Sequence, residues 1–143
     1  MFHFEEGEVF LIDKPLDWTS FDAVNLIRSV IKRYNGIRKL KVGHAGTLDP
    51  LATGLLIICT GRMTKKIDTF QAQEKVYTGT MLLGLTTPTF DMESEADASY
   101  PTDDITIEMM EAARKTFIGD IMQRPPKFSA IKINGKRAFD YAR

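Results

Sequence analysis

The segment Gly43-His44-Ala45-Gly46-Thr47-Leu48-Asp49-Pro50-Leu51-Ala52-Thr53-Gly54 sets three glycines and a proline around a single carboxylate. Glycine lets a backbone approach a ligand closely or take positive φ, and Pro50 stiffens the residue beside the acid. By residue type alone Asp49 is open to two readings: an acid presented on a rigid loop, or an Asx-turn before a proline. No Gly-Lys-Ser/Thr follows at the spacing of a phosphate-cradling loop. Nor does the segment hold the Ser or Cys with His that a nucleophilic hydrolase needs.

Upstream, Glu8 to Asp13 is a β-type run stopped by Lys14-Pro15 and predicts a first strand. Thr19-Ser20-Phe21-Asp22 offers a hydroxyl cap with an acid three positions on. Val24, Ile27, Ile31 and Tyr34 then recur at helical spacing, and Asn35-Gly36 marks the end. The segment Gly43 to Gly54 reads as a loop, and Leu55 to Thr60 as a strand buried on both faces. Met63, Ile67 and Phe70 predict a short helix.

Further on, Lys75 to Leu85 reads as a long strand interrupted by Gly79 and Gly84. Thr86 to Asp104, rich in acids, Thr, Ser and Pro, predicts a mobile loop. Thr106 caps a second helix with Met109, Ala113 and Phe117 on one face and Gly119 at its end. Pro125-Pro126 forces an extended segment. Phe128 to Ile133, Asn134-Gly135 and Lys136 to Phe139 then form a hairpin signal.

At 143 residues the chain fits one domain that buries roughly 68% of its extended surface. Hydrophobic content of 43% and charged content of 27% fit a packed globular fold and not a disordered chain. The longest apolar run, Leu55 to Cys59, is far short of the roughly 20 residues of a membrane span. Met1-Phe2-His3-Phe4 runs straight into Glu5 and Glu6, the reverse of a signal peptide, so a cytoplasmic location is expected. Cys59 is the one cysteine, which leaves no internal disulfide and reads as a buried core thiol. His3 and His44 lack carboxylates at ligand spacing, and no metal is expected.

The net charge of zero conceals segregation. Between Asp22 and Asp49 no acid occurs, whereas Arg28, Lys32, Arg33, Arg38, Lys39 and Lys41 do. From Val76 to Ala113 the pattern inverts: Asp91, Glu93, Glu95, Asp97, Asp103, Asp104, Glu108 and Glu111 stand with no Lys or Arg. Basic blocks of this kind suit the phosphate-neutralising face of an RNA binder, although solvated surface charge is the commoner cause.

The pattern Gly-His-x-Gly-x-Leu-Asp-Pro-x-Ala-x-Gly, read from Gly43 to Gly54, resembles the catalytic motif of the TruB-type tRNA pseudouridine synthases. Three further segments agree in order and spacing. Asp13-Lys14-Pro15 with Thr19-Ser20 resembles the family's opening motif, and Lys75-Val76-Tyr77 its tyrosine strand. Pro125-Pro126-x-Phe-Ser-Ala-x-Lys-x-x-Gly-x-Arg, with Tyr141-Ala142-Arg143 after it, resembles its hairpin. There are two departures: Asp17-Trp18 stands where the family usually has glycine then a smaller residue, and Ser94 replaces a common glycine after Asp91. Asp tolerates the left-handed region better than most residues, so a local change is expected at Asp17 and no loss of function.

The resemblance implies an α/β (α+β) fold with a mixed, largely antiparallel sheet and packed helices, incomplete in this chain. Residues 1–143 are then the N-terminal portion of a single catalytic domain whose later half adds further base-contacting groups and an arginine partner for the aspartate. Asp49 resembles the essential aspartate, His44 the residue beside the flipped nucleotide, and Tyr77 the aromatic that stacks on the target uracil. Asp91 is similar to an acid linked electrostatically to the site, and Lys65 to a lysine that contacts the RNA backbone.

The implied activity isomerises a T-loop uridine of tRNA by a monomeric enzyme without cofactor or metal. A non-catalytic tRNA-folding module on the same scaffold, or an RNA-guided synthase of the dyskerin type, is the alternative. An aspartate carboxylate, with a reference pKa of about 3.9, is ionised at neutral pH. It can attack C1′, add to the uracil or remove the C2′ proton, and sequence leaves these routes open.

Overall fold

A computed structural model describes residues 2–123 and the backbone of residues 132–133 and 136–137. The chain divides into two compact units, Met1–Tyr77 and Thr78–Arg143.

The first unit is built on a three-stranded sheet in the order β1-β3-β2, with β1 at Val9–Lys14, β2 at Val42–His44 and β3 at Gly54–Thr60. Both pairings are antiparallel: Phe10 faces Ile58 and Ile12 faces Leu56 across β1 and β3, while Val42 faces Thr60 and His44 faces Ile58 across β2 and β3. Directly opposed residues share a sheet face. Leu56, Ile58 and Val42 therefore point together at helix α1, Ser20–Asn35, and pack with its Ala23 and Val24. Phe10, Ile12, Trp18, Ile27, Leu40 and Leu48 extend this core. Leu56 and Ile58 are 1% and 0% exposed, and cutting such a side chain to Ala costs about 2–5 kcal/mol.

Local chemistry explains where α1 begins and ends. The Thr19 side chain accepts from the Asp22 N–H at 3.1 Å, while the Thr19 N–H donates to the Asp22 carboxylate at 2.9 Å. This reciprocal box satisfies donors that the helix leaves unpaired. Gly36, left-handed at φ 69, closes the helix by donating its N–H to the Lys32 carbonyl. The expected apolar face is buried at Val24 and Ile31 but not at Tyr34, which is 76% exposed and lies under the Arg33 guanidinium.

Gly43 and His44 are not loop: they form β2, because their backbone pairs with Cys59 and Ile58 of β3. Strand β3 is central but not buried on both faces along its length. Leu55 is 64% exposed and Ile57 half-buried, since α1 covers only the other side of the sheet. Leu56, Ile58, Cys59 and Thr60 are enclosed, Cys59 as the expected core thiol whose pKa burial raises. A 3-10 turn, Gly61–Lys66, and α2, Ile67–Gln71, follow where a short helix was predicted.

The long strand expected over Lys75 to Leu85 is absent among the described residues. Only Leu85–Thr86, β4, pairs, antiparallel with β5 at Ala98–Ser99. Val76, Met81 and Leu82 are 87%, 83% and 60% exposed, so this β-prone run has neither a ladder nor a covered face to stabilise it. The acidic stretch predicted as loop therefore contains β5. Helix α3, Ile107–Lys115, is capped by Thr106 as predicted, with the Met109 N–H donating to its hydroxyl at 3.3 Å. It stops at Lys115, short of Gly119, and its expected apolar face is exposed at Met109.

β6 and β7 pair Lys132 with Arg137 and Ile133 with Lys136, the register of the predicted two-residue hairpin. Pro125-Pro126, Phe128 to Ile131, Asn134-Gly135 and residues 138–143 lie outside the described residues. Every described strand pair is antiparallel, in keeping with the α/β fold and largely antiparallel sheet expected.

Candidate active site

Strand β2 delivers His44 to the rim of the sheet, and the chain then loops through residues 45–53 before re-entering as β3. Ala45 extends the ladder by one bond, its N–H donating to the Ile57 carbonyl at 2.8 Å. The His44 Nδ1 lies 2.6 Å from the Gly46 carbonyl oxygen. A carbonyl only accepts, so Nδ1 carries a proton and Nε2 is the nitrogen left for another partner. Gly46 and Gly54 sit at φ 121 and 119, values that side chains rarely adopt, and these two glycines let the loop leave and rejoin the sheet so abruptly.

Asp49 stands at the first position of a turn. Its carbonyl accepts from the Ala52 N–H at 3.0 Å, with Pro50 in the second position, where a fixed φ favours such turns. The backbone carbonyl makes this turn, and the residue itself is exposed.

Both flanks of Asp49 are tied to the segment that joins β1 to α1. On one side the buried Ser20 hydroxyl, 3% exposed, accepts from the Leu48 N–H at 2.9 Å and donates to the Leu48 carbonyl at 3.1 Å. On the other, the Pro50 carbonyl accepts from the Asp17 N–H at 2.9 Å and receives Lys14 Nζ at 3.5 Å. Lys14 is fully buried and donates also to the Pro15 and Trp18 carbonyls, at 2.9 and 2.6 Å. A desolvated ammonium is thereby held by backbone oxygens, and hydrogen bonds to charged groups contribute about 1.5–3 kcal/mol each. Asp17 takes φ 63, the left-handed conformation anticipated for an acid at a position usually glycine.

Lys65 is exposed on the 3-10 turn and lines a shallow cavity of about 260 Å³ with Glu5, Lys39, Lys41, Arg62 and Thr64. Four cations face one carboxylate there. This cavity lies at the Thr60 end of β3 and Asp49 just beyond its Gly54 end. With seven residues in the strand, the separation is about 20 Å. The structure does not bring Lys65 to Asp49.

Tyr77, at the end of the first unit, is 70% exposed. Asp91 belongs to the second unit, where its carboxylate accepts from the Thr89 hydroxyl at 2.6 Å and the Glu93 N–H at 2.9 Å. Ser94, the other departure noted in the sequence, exchanges a hydrogen bond with Thr89 at 2.7 Å. This polar network shapes the loop from Thr87 to Ser94. Among the described residues no cluster of His, Cys, Asp and Glu could hold a metal, and no helix is long and apolar enough to cross a membrane.

Sequence reasoning missed Ser20, Lys14 and Asp17 as supports of the loop. Thr19-Ser20 was noted only as a cap and motif fragment, and nothing in a linear pattern indicates that Ser20 meets Leu48, 28 positions away.

Comparison with known proteins matches residues 32–143 to the TruB family pseudouridylate synthase N-terminal domain. The tRNA pseudouridine synthase B of Phocaeicola vulgatus is 60% identical over 141 residues, covering 99% of this chain and 60% of the relative. That of Parabacteroides distasonis is 58% identical over 140 residues, with coverages of 98% and 60%. That of Bacteroides fragilis is 55% identical over 141 residues, with 99% and 60%. The chain spans about 60% of the length of these curated relatives.

Proposed function

Because the chain belongs to the TruB family of pseudouridylate synthases, we propose that it is the N-terminal portion of one catalytic domain that isomerises a T-loop uridine of tRNA to pseudouridine. The observation that carries this reading is Asp49: an exposed carboxylate at the head of a turn whose neighbours Leu48 and Pro50 are both tied down by hydrogen bonds. The choice of tRNA is supported by the names of the relatives, tRNA pseudouridine synthase B.

The reaction breaks the bond between C1′ and N1, turns the uracil and joins C1′ to C5. N1 ends with a proton and the C5 hydrogen passes to solvent, so no electrons are gained or lost and no redox cofactor or metal is required. Asp49 is the catalytic residue, acting as nucleophile or base. A uridine stacked in folded RNA is out of reach, so the base is flipped outward. Tyr77 then serves as its stacking platform, for which about 1–3 kcal/mol per base is typical. His44, at the mouth of the loop, lies beside the flipped nucleotide with Nε2 available to it.

Lys65, with Lys39, Lys41 and Arg62 around the same cavity, holds RNA phosphates away from the reacting base. The working enzyme is a monomer in the cytoplasm.

The test uses the full-length protein and T-loop RNA tritiated at uracil C5. The wild type is expected to release tritium, and Asp49→Asn to bind the RNA with unchanged affinity while releasing none. Turnover by Asp49→Asn would overturn the role of the carboxylate. Absence of release by the wild type would leave the non-catalytic tRNA-folding reading in its place.

A further inference from the structure

We infer that Ser20 is a positioning residue for Asp49, an assignment that rests on the reading of Asp49 as the reactive group. The Ser20 hydroxyl donates to the Leu48 carbonyl and accepts from the Leu48 N–H. A hydroxyl is suited to this because one small group offers both a donor and acceptor lone pairs. The carbonyl it holds belongs to the peptide unit whose nitrogen is that of Asp49. The N–H it holds belongs to the unit before. Two successive peptide planes are thus fixed on the N-terminal side of the acid, while the Asp17 N–H holds the Pro50 carbonyl on the other. With both flanks fixed, the direction of the Asp49 side chain from its backbone is set, and only its own rotamer remains.

Ser20 is itself anchored. It is the first residue of α1, directly after the Thr19 cap, and helix geometry sets its place independently of the loop. At 3% exposure its hydroxyl sits where bulk water cannot take over both bonds. Without it the 48–49 peptide gains freedom to rotate and the carboxylate spreads over orientations. A misplacement of about 1 Å in a reacting group costs on the order of 10²-fold in rate.

The experiment compares Ser20→Ala, Ser20→Thr and Thr19→Ala in the full-length protein, reading the single-turnover tritium-release rate and the RNA dissociation constant separately. Thr19→Ala removes the neighbouring cap, which touches α1 and not the loop, so it reports what loss of helix stability alone does to the rate. The expected result is a fall of about 10- to 100-fold in the Ser20→Ala rate with RNA affinity unchanged, Ser20→Thr recovering most of the rate and Thr19→Ala leaving it unchanged. A Ser20→Ala rate equal to that of Thr19→Ala would overturn the assignment, as would a loss confined to RNA affinity. Should Ser20→Ala not fold, Ser20→Cys, of similar size but with a weak donor, is read by the same criteria. A wild type that turns over, loses activity in Asp49→Asn and keeps it in Ser20→Ala would sink this inference alone. A wild type without turnover would sink the catalytic reading instead.

Discussion

Gly61 shows how much a single missing side chain can matter. It links β3 to the 3-10 turn at φ 51, and a Cβ there would meet the Glu5 and Phe4 carbonyl oxygens at 2.3 and 2.4 Å. Those atoms are backbone, so they cannot swing aside as a flexible side chain would. The N–H groups of Gly61 and Arg62 also bond to the Lys41 and Glu5 carbonyls in this crossing. Gly61→Ala combines a clash with a left-handed conformation that costs an L-residue roughly 1–2 kcal/mol, and the expected total is at least about 2 kcal/mol. Urea unfolding of the full-length protein checks this through the shift in its midpoint. An unchanged midpoint would refute the close approach. The glycine itself stands in the sequence directly after the expected strand Leu55 to Thr60. Its crowding against residues 4 and 5 is not legible there, because that contact closes over more than fifty positions. Asp17 is the opposite case: its left-handed backbone followed from the residue type and a familiar motif position.

Helix α1 was readable from end to end because its signals are local. The box made by Thr19 and Asp22 and the stop at Gly36 all lie within a few residues of what they control. Hydrogen bonds from the Thr19 side chain and backbone, with a smaller contribution from the Lys14 charge, hold the Asp22 carboxyl below its ordinary pKa. The sign follows: a depressed pKa in the folded state means that the stabilisation is complete above the unfolded value of about 3.9 and disappears as pH falls through the lower folded value. Asp22→Asn is accordingly expected to lower the thermal midpoint of the full-length protein at pH 7, the difference from wild type closing below about pH 4. A difference independent of pH would refute the ionic character of the cap. Lys75 to Leu85 failed as a predicted strand for the converse reason. Its composition favours β structure, but a strand exists only where a second strand accepts its hydrogen bonds, and β propensity carries no information about that partner.

Across the molecule, large apolar side chains remain uncovered: Leu11 and Leu55 on the first unit's sheet, and Val76, Tyr77, Met81, Phe90 and Ile107 along the chain that follows. Exposed apolar surface on this scale is unusual for a self-sufficient protein, and the chain spans about 60% of its curated relatives. The isolated 143 residues are therefore expected to release no tritium from C5-labelled T-loop RNA under conditions where the full-length protein does. Turnover by the isolated chain equal to that of the full-length protein would refute the proposal that it is one portion of a larger catalytic domain.

What the sequence determined by itself were features whose causes sit close together in the chain: the capped helix, the glycine-flanked loop with its acid, the core strand around Cys59, and a motif specific enough to indicate the family. The tertiary structure alone decided that Gly43 and His44 belong to a strand, that Leu55 is exposed, and that Ser20, Asp17 and Lys14 grip the loop around Asp49. Each of these depends on a partner many residues away, and hydrogen bonds and burial across such distances are fixed by how the elements pack, a property no local run of residues encodes.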